Sequence, residues 1–209
     1  MISQPVLQLF AALLAIMNPL TVVPVFLALT EGYSPAGRRG VAVTASVTVF
    51  VTLAVVLLSG TRLLDFFGIT INDFRVAGGI LIFIMSLSLL RAAPSRMRHV
   101  PEEAEERDNP AFFPLAIPMM AGPGSMTTVI LFGTVNTGGV DLASALAVIA
   151  LVCLLIVATL FMAGWLAREV GVTGMNIVTR LMGLILSAVA VGMIFEGLRG
   201  AFPILAGAP

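Results

Sequence analysis

Lysine is absent from this chain, and cysteine, histidine, tryptophan and tyrosine occur once each. Only 11% of residues are charged, and the formal net charge is zero. Each shortage excludes something. One thiol, Cys153, makes neither an intrachain disulfide nor a cysteine-based zinc cluster, and mid-span it reads as a small buried hydrophobe. Without lysine, and with His99 alone in a charged stretch, neither a Ser–His nor a Ser–Lys pair can be built around Ser125. Asp65, Asp73 and Asp141 all fall near the ends of apolar runs, so a pair of catalytic aspartates is not expected either. Enzyme activity, a bound cofactor, a metal centre and a nucleic-acid partner are therefore not expected.

What the chain has is apolar length. Hydrophobic residues make up 59% of it and the mean hydropathy is +1.09, values that belong to an integral membrane protein. A helix needs roughly 20 apolar residues to cross a hydrocarbon core of about 30 Å. Six segments qualify, at about 3–29, 41–60, 74–91, 112–133, 141–165 and 178–197. The short alternating strands of a β-barrel are missing. The expectation is an all-α membrane protein of six transmembrane helices. No arginine precedes Arg38, so the first span lacks the basic flank of a signal peptide and is expected to remain in the mature protein.

Arginines orient the bundle. The loops after the first, third and fifth spans carry Arg38, Arg39, Arg91, Arg96, Arg98, Arg107, Arg168 and Arg180, against Arg62, Arg75 and Arg199 on the other side. The positive-inside rule puts the first group in the cytoplasm and both termini outside. The stretch 92–110 lies in the only strongly charged part of the chain and reads as a solvated cytoplasmic linker between residues 1–91 and 111–209.

Those two halves resemble each other. MNPLTVVPVFLALT (17–30) aligns with AGPGSMTTVILFGT (121–134) at an offset of 104, and RVAGGIL (75–81) with RLMGLIL (180–186) at 105. With three spans per half, the second half enters the membrane in the opposite sense, an inverted-topology repeat. Asn18-Pro19 and Gly122-Pro123-Gly124 fall close to the centres of the first and fourth spans. Proline removes an N–H and glycine loosens the backbone. In hydrocarbon such a break is tolerated only inside protein or beside a watery cavity. Helices 1 and 4 are thus expected to be broken near the bilayer midplane.

Matched breaks mark the binding site in many transporters. Half-helices that begin there offer N–H groups and a positive dipole end to a carboxylate. The short hydroxyls of Thr21, Ser125, Thr127 and Thr128 are placed to cap those groups or to bind a solute. The candidate site is therefore Asn18, Pro19, Thr21, Gly122, Pro123, Gly124, Ser125, Thr127 and Thr128, with a small zwitterion as its ligand. Prolines also kink helices that bind nothing, and Ser/Thr also serve only to re-satisfy freed backbone. For coupling to H+, the nearest carboxylates are Glu196 and Asp65, each of which reads first as interfacial or paired with arginine; Na+ held by backbone carbonyls needs neither. Gly78, Gly79 and Gly183 read as sites of close helix contact, and Thr44, Thr48 and Thr52 as a hydroxyl stripe on the second helix.

MNPLTVVPVFLALT, FRVAGGILIF, FFPLAIPMMAGPGSMTTVIL and TRLMGLILSAVAVGMIFEGLRG together resemble the MarC family of bacterial and archaeal membrane proteins, which includes SnatA-type transporters of small neutral amino acids. The resemblance covers essentially the whole chain. It implies six helices in the inner membrane and carries over Asn18, Pro19 and Pro24 in one motif and Gly122, Pro123 and Gly124 in the other. Thr21 stands where many relatives have glycine after NPL, which narrows or repolarises that position. A secondary transporter of small neutral amino acids is the expected function; a channel or exporter for another small solute and a non-transporting scaffold are the alternatives.

Overall fold

The computed structural model describes residues 4–90, 109–134 and 141–202, and every regular element among them is helical. Helix α1 spans Gln4–Met17 and α2 spans Pro19–Leu29. They are followed by α3, Pro35–Phe67, and α4, Ile71–Leu90. After an irregular stretch, Ala111–Met120, come α5, Pro123–Thr134; α6, Leu142–Phe161; α7, Ala163–Glu169; and α8, Gly171–Ala201. Of the 92–110 linker, only Asn109 and Pro110 lie within the described residues.

Capping chemistry sets several of these boundaries. Ser34 starts α3 by accepting the Gly37 N–H at 3.1 Å, with Pro35 at the first helical position, an arrangement worth about 1 kcal/mol. Gly68, at φ 65, ends the same helix in the left-handed region that a side chain disfavours. Thr70 and Asp73 cap α4 reciprocally, the Asp73 N–H reaching the Thr70 hydroxyl at 3.1 Å and the Thr70 N–H reaching the carboxylate at 3.3 Å. Helix α3 therefore runs 33 residues, far past the expected 41–60, because its ends are set by caps and not by the limits of apolarity.

Among the described residues, five helical stretches are long and apolar enough to cross a membrane: Gln4–Leu29, Pro35–Gly60, Ile71–Leu90, Leu142–Phe161 and Asn176–Ala201. The expected fourth span, 112–133, is not one helix of that kind. Its second half is the short apolar helix α5. Its first half is wound loosely, the Ala121 N–H reaching back five residues to the Ala116 carbonyl at 2.8 Å. Within it Phe113 (φ −128, ψ 130) and Ile117 (φ −126, ψ 125) are extended. Each precedes a proline, whose ring pushes the residue before it out of the helical region.

The two extended residues, Phe113 and Ile117, are themselves exposed, and the stretch buries its other face. Leu115, Ala116, Met120 and Ala121 are all 0% exposed, packed in a core that also takes Leu13 of α1, Phe26 of α2, Leu53 of α3 and Ile149 of α6. Apolar side chains also cover the outside. Val43, Val47, Val51 and Val55 form an exposed i, i+4 stripe on α3, opposite the buried Ala42, Ala45, Val49 and Leu53. Such a surface suits lipid and not water.

Small residues decide how closely the helices approach. Gly183 of α8 abuts Leu89 and Leu90 of α4, Gly79 abuts Ala190 and Ile194, and Gly197 abuts Asn72 and Val76. Contacts that descend one helix while climbing the other make α4 and α8 antiparallel neighbours over most of their length. Arg39 near the start of α3 stacks on Phe161 at the end of α6, 5.9 Å from the ring centre. The glycines expected to permit close contact, Gly78, Gly79 and Gly183, all meet neighbouring helices.

Candidate functional site

Between α1 and α2 the chain passes through Asn18 at φ 36, ψ 73, the one non-glycine residue with positive φ among the described residues. Asparagine tolerates this region better than most side chains, and Pro19 has no N–H to satisfy at the following helix start. The Asn18 N–H still closes α1, on the Leu14 carbonyl at 3.0 Å. Its own carbonyl accepts twice, from the Thr21 N–H at 3.0 Å and the Thr21 hydroxyl at 2.9 Å. The side-chain amide is left over. Asn18 is 4% exposed and its Nδ2 has no hydrogen-bond partner among the described residues. Leaving such a donor buried and unpaired costs about 1–3 kcal/mol.

Helix α5 likewise begins at a proline after a non-helical residue. Ala121 (φ −91, ψ 58) separates it from the irregular stretch, Pro123 occupies the first helical position, and the Met126 N–H bonds the Gly122 carbonyl at 3.0 Å. Helix geometry gives the Gly124 and Ser125 N–H groups no partner within α5. Ser125 donates its hydroxyl to the Met120 carbonyl at 2.8 Å, and Thr128 to the Gly124 carbonyl at 2.9 Å. The Ser125 hydroxyl thus satisfies a carbonyl that lies before the interruption, whereas Thr128 back-bonds a carbonyl already inside α5. Gly124 is pressed against the first helix: a Cβ there would lie 3.3 Å from Ile16 Cγ2 and 3.0 Å from Ile82 Cγ1. The two interruptions are therefore near neighbours.

Next to them lies a cavity of about 580 Å³, walled by α1, α5 and α8, with Arg75 entering from α4. That volume is in the usual range for a small-molecule site. Ala15 and Thr128 line it, the first about one helical turn before Asn18 and the second about one and a half turns after Gly122. Ala12 and Met193 give it apolar sides. Towards the start of α1 and the end of α8, Arg75 faces Glu196 with 3.7 Å between Nη1 and Oε2. The arginine side chain is 21% exposed and the glutamate 69%.

A family model described as "MarC family integral membrane protein" matches residues 4–202. The chain belongs to the MarC family. It is 39% identical to membrane protein YvbG of Bacillus subtilis, over 96% of this chain and 97% of the relative. It is 35% identical to membrane protein YhcE of Escherichia coli, over 94% and 93%. A membrane protein of Aquifex aeolicus is 40% identical, over 91% and 90%. No solved structure matches the chain significantly.

In this MarC family protein, an integral multi-pass membrane protein, the residues expected to form the site divide into two sets. Thr128 and Glu196 line the cavity. Asn18, Pro19, Thr21, Gly122, Gly124, Ser125 and Thr127 are buried in the packed protein beside it, and Pro123 is exposed. Asp65 is exposed near the end of α3 and does not line the cavity. Thr44, Thr48 and Thr52 are half-buried, and the Thr48 hydroxyl is spent on the Thr44 carbonyl at 2.9 Å. The wall from α1 was not anticipated, although Gln8, Ala11, Ala12 and Ala15 carry a visible signal: small or polar residues at helical spacing in an otherwise bulky run. Ser46, on the buried face of α3, is the other side chain besides Asn18 with a buried polar atom lacking a partner among the described residues.

Proposed function

We propose that this protein is a secondary transporter of small neutral amino acids, or of similar small zwitterions, in the cytoplasmic membrane. The observation that carries the reading is the cavity between α1, α5 and α8, which reaches within about two turns of two adjacent backbone interruptions. Asn18 Nδ2 supports it, as a buried donor beside the cavity, without an acceptor among the described residues, that a polar group of a solute would satisfy. In this reading residues 1–91 and 111–209 are inverted three-helix halves joined by the 92–110 linker. The spans are then six, with Ala111–Met120 and α5 together making the fourth. The antiparallel α4–α8 pair is what two such halves would produce where their third helices meet. The interruptions sit near the bilayer midplane, both termini face outward, and exchange of conformation between the halves opens the site to alternate sides.

Glu196 is the better placed of the two coupling candidates, since it lines the cavity and Asp65 does not; Na+ coordinated by carbonyls is the alternative to H+. Counterflow of labelled alanine into proteoliposomes tests the whole reading. Saturable exchange is expected, and Pro123→Ala and Thr127→Val should each lower it roughly tenfold, about 1.4 kcal/mol, with folding kept. Purified protein that moves no amino acid, or moves it as a linear non-exchanging leak, would sink the proposal. Normal exchange by both variants would remove the interruptions from the site.

A further inference from the structure

Resting on the transport reading, we propose that Arg75 and Glu196 are the charge filter of the cavity, selecting solutes that carry a carboxylate and an ammonium together. The pair is poorly explained as a structural clamp. Its 3.7 Å separation exceeds a hydrogen bond, and with Glu196 69% exposed it belongs to the class of ion pairs that add little to stability. Its position is more telling. The two charges come from different helices, α4 and α8, and both line the same cavity, whose other walls are mainly apolar.

Among the described residues, no other charged side chain lines that cavity. Asp73, two residues before Arg75, is held by Thr70 at the α4 cap, and Arg199, one turn beyond Glu196, is outside the lining. The cavity is thus neutral overall but strongly dipolar at one end. A singly charged solute entering it gains one partner and meets one like charge. A zwitterion can give each side chain a new counter-ion, its carboxylate to Arg75 and its ammonium to Glu196, so that no charge is left unpaired when the native pair opens. The apolar walls take the rest of the molecule.

The test measures equilibrium binding to purified protein in detergent, using three probes of similar size: alanine, propionate and ethylamine. Wild type should bind alanine and reject the other two. Glu196→Gln should lose alanine by about tenfold or more, the scale of one charge-assisted hydrogen bond, and gain propionate. Arg75→Gln should lose alanine equally and gain ethylamine. The swapped double variant, Arg75→Glu with Glu196→Arg, should recover alanine binding while both singles stay defective. Melting temperatures serve as the control on folding. Single variants that bind alanine like wild type would overturn the filter and leave the transport reading intact. So would folded single variants that lose alanine without any change in charge preference, combined with a double variant that does not recover. A folded wild type that binds none of the probes would overturn both.

Discussion

Gly79 of α4 lies flush against α8: a Cβ at this position would stand 2.9 Å from the Ala190 carbonyl oxygen and 2.7 Å from Ile194 Cγ1. A backbone oxygen in a helix cannot swing aside as a side chain tip can, so the two helices would have to separate. Gly79→Val should therefore destabilise the folded protein by about 1–3 kcal/mol, read as a lower melting temperature in detergent. Gly40, also helical but with no atom within 4 Å of an added Cβ, is the contrast. Gly40→Ala should raise stability by about 0.5–1 kcal/mol through helix propensity alone.

Asn18 offers a separation of stability from function. Glycine accepts φ 36 without the penalty borne by a side chain, and it removes an amide nitrogen that has no partner among the described residues. Asn18→Gly should match wild-type stability to within about 1 kcal/mol and yet bind solute at least about tenfold more weakly. Retained binding would mean that the amide is a packing group only.

Thr21 is the counterpart on the stability side. Its hydroxyl supplies one of the two bonds to the Asn18 carbonyl. Thr21→Val keeps the shape and removes that bond, at a cost of about 1 kcal/mol, while Thr21→Ser should lose less. Equal melting temperatures for the three proteins would refute the capping role.

One pH dependence follows from a group outside the spans. Asp141 caps α6 by accepting the Ser144 N–H at 3.1 Å, and its hydrogen bonds to Ser144 hold its carboxyl below the usual 3.8. A folded-state value below the unfolded one means stability that is fully present above about 3.8 and lost as pH falls through the lowered value. Asp141→Ala should thus be less stable than wild type at pH 7, with the gap closing below about pH 4. Unfolding midpoints across that range check it.

Much of the helical order was readable because local rules decide it. Ser34, Thr70 and Asp141 are capping residues in sequence before they are caps in space, and Asn18-Pro19 and Gly122-Pro123 mark where α2 and α5 begin. Phe113 and Ile117 were equally legible, each standing before a proline, but an apolar count over 112–133 averages such residues away. The cavity was not legible. Ala15, Thr128 and Met193 come from three helices far apart in the chain, and only packing tells that they enclose a space. The same holds for Arg75 and Glu196. Each is an ordinary charge near a span end, and their meeting depends on α4 and α8 lying antiparallel in register, which the glycines at 79, 183 and 197 permit without announcing.

Cys153 sits in the inner face of α6 at 6% exposure, and it is the chain's one thiol. The native protein therefore behaves towards a bulky maleimide almost as a cysteine-free background. New cysteines can be introduced on any loop and labelled selectively for distance measurements. The slow residual reaction of Cys153 itself becomes a clock, ticking only when the α6 wall parts far enough to admit reagent, and its rate with and without solute reports that breathing in the unmutated chain.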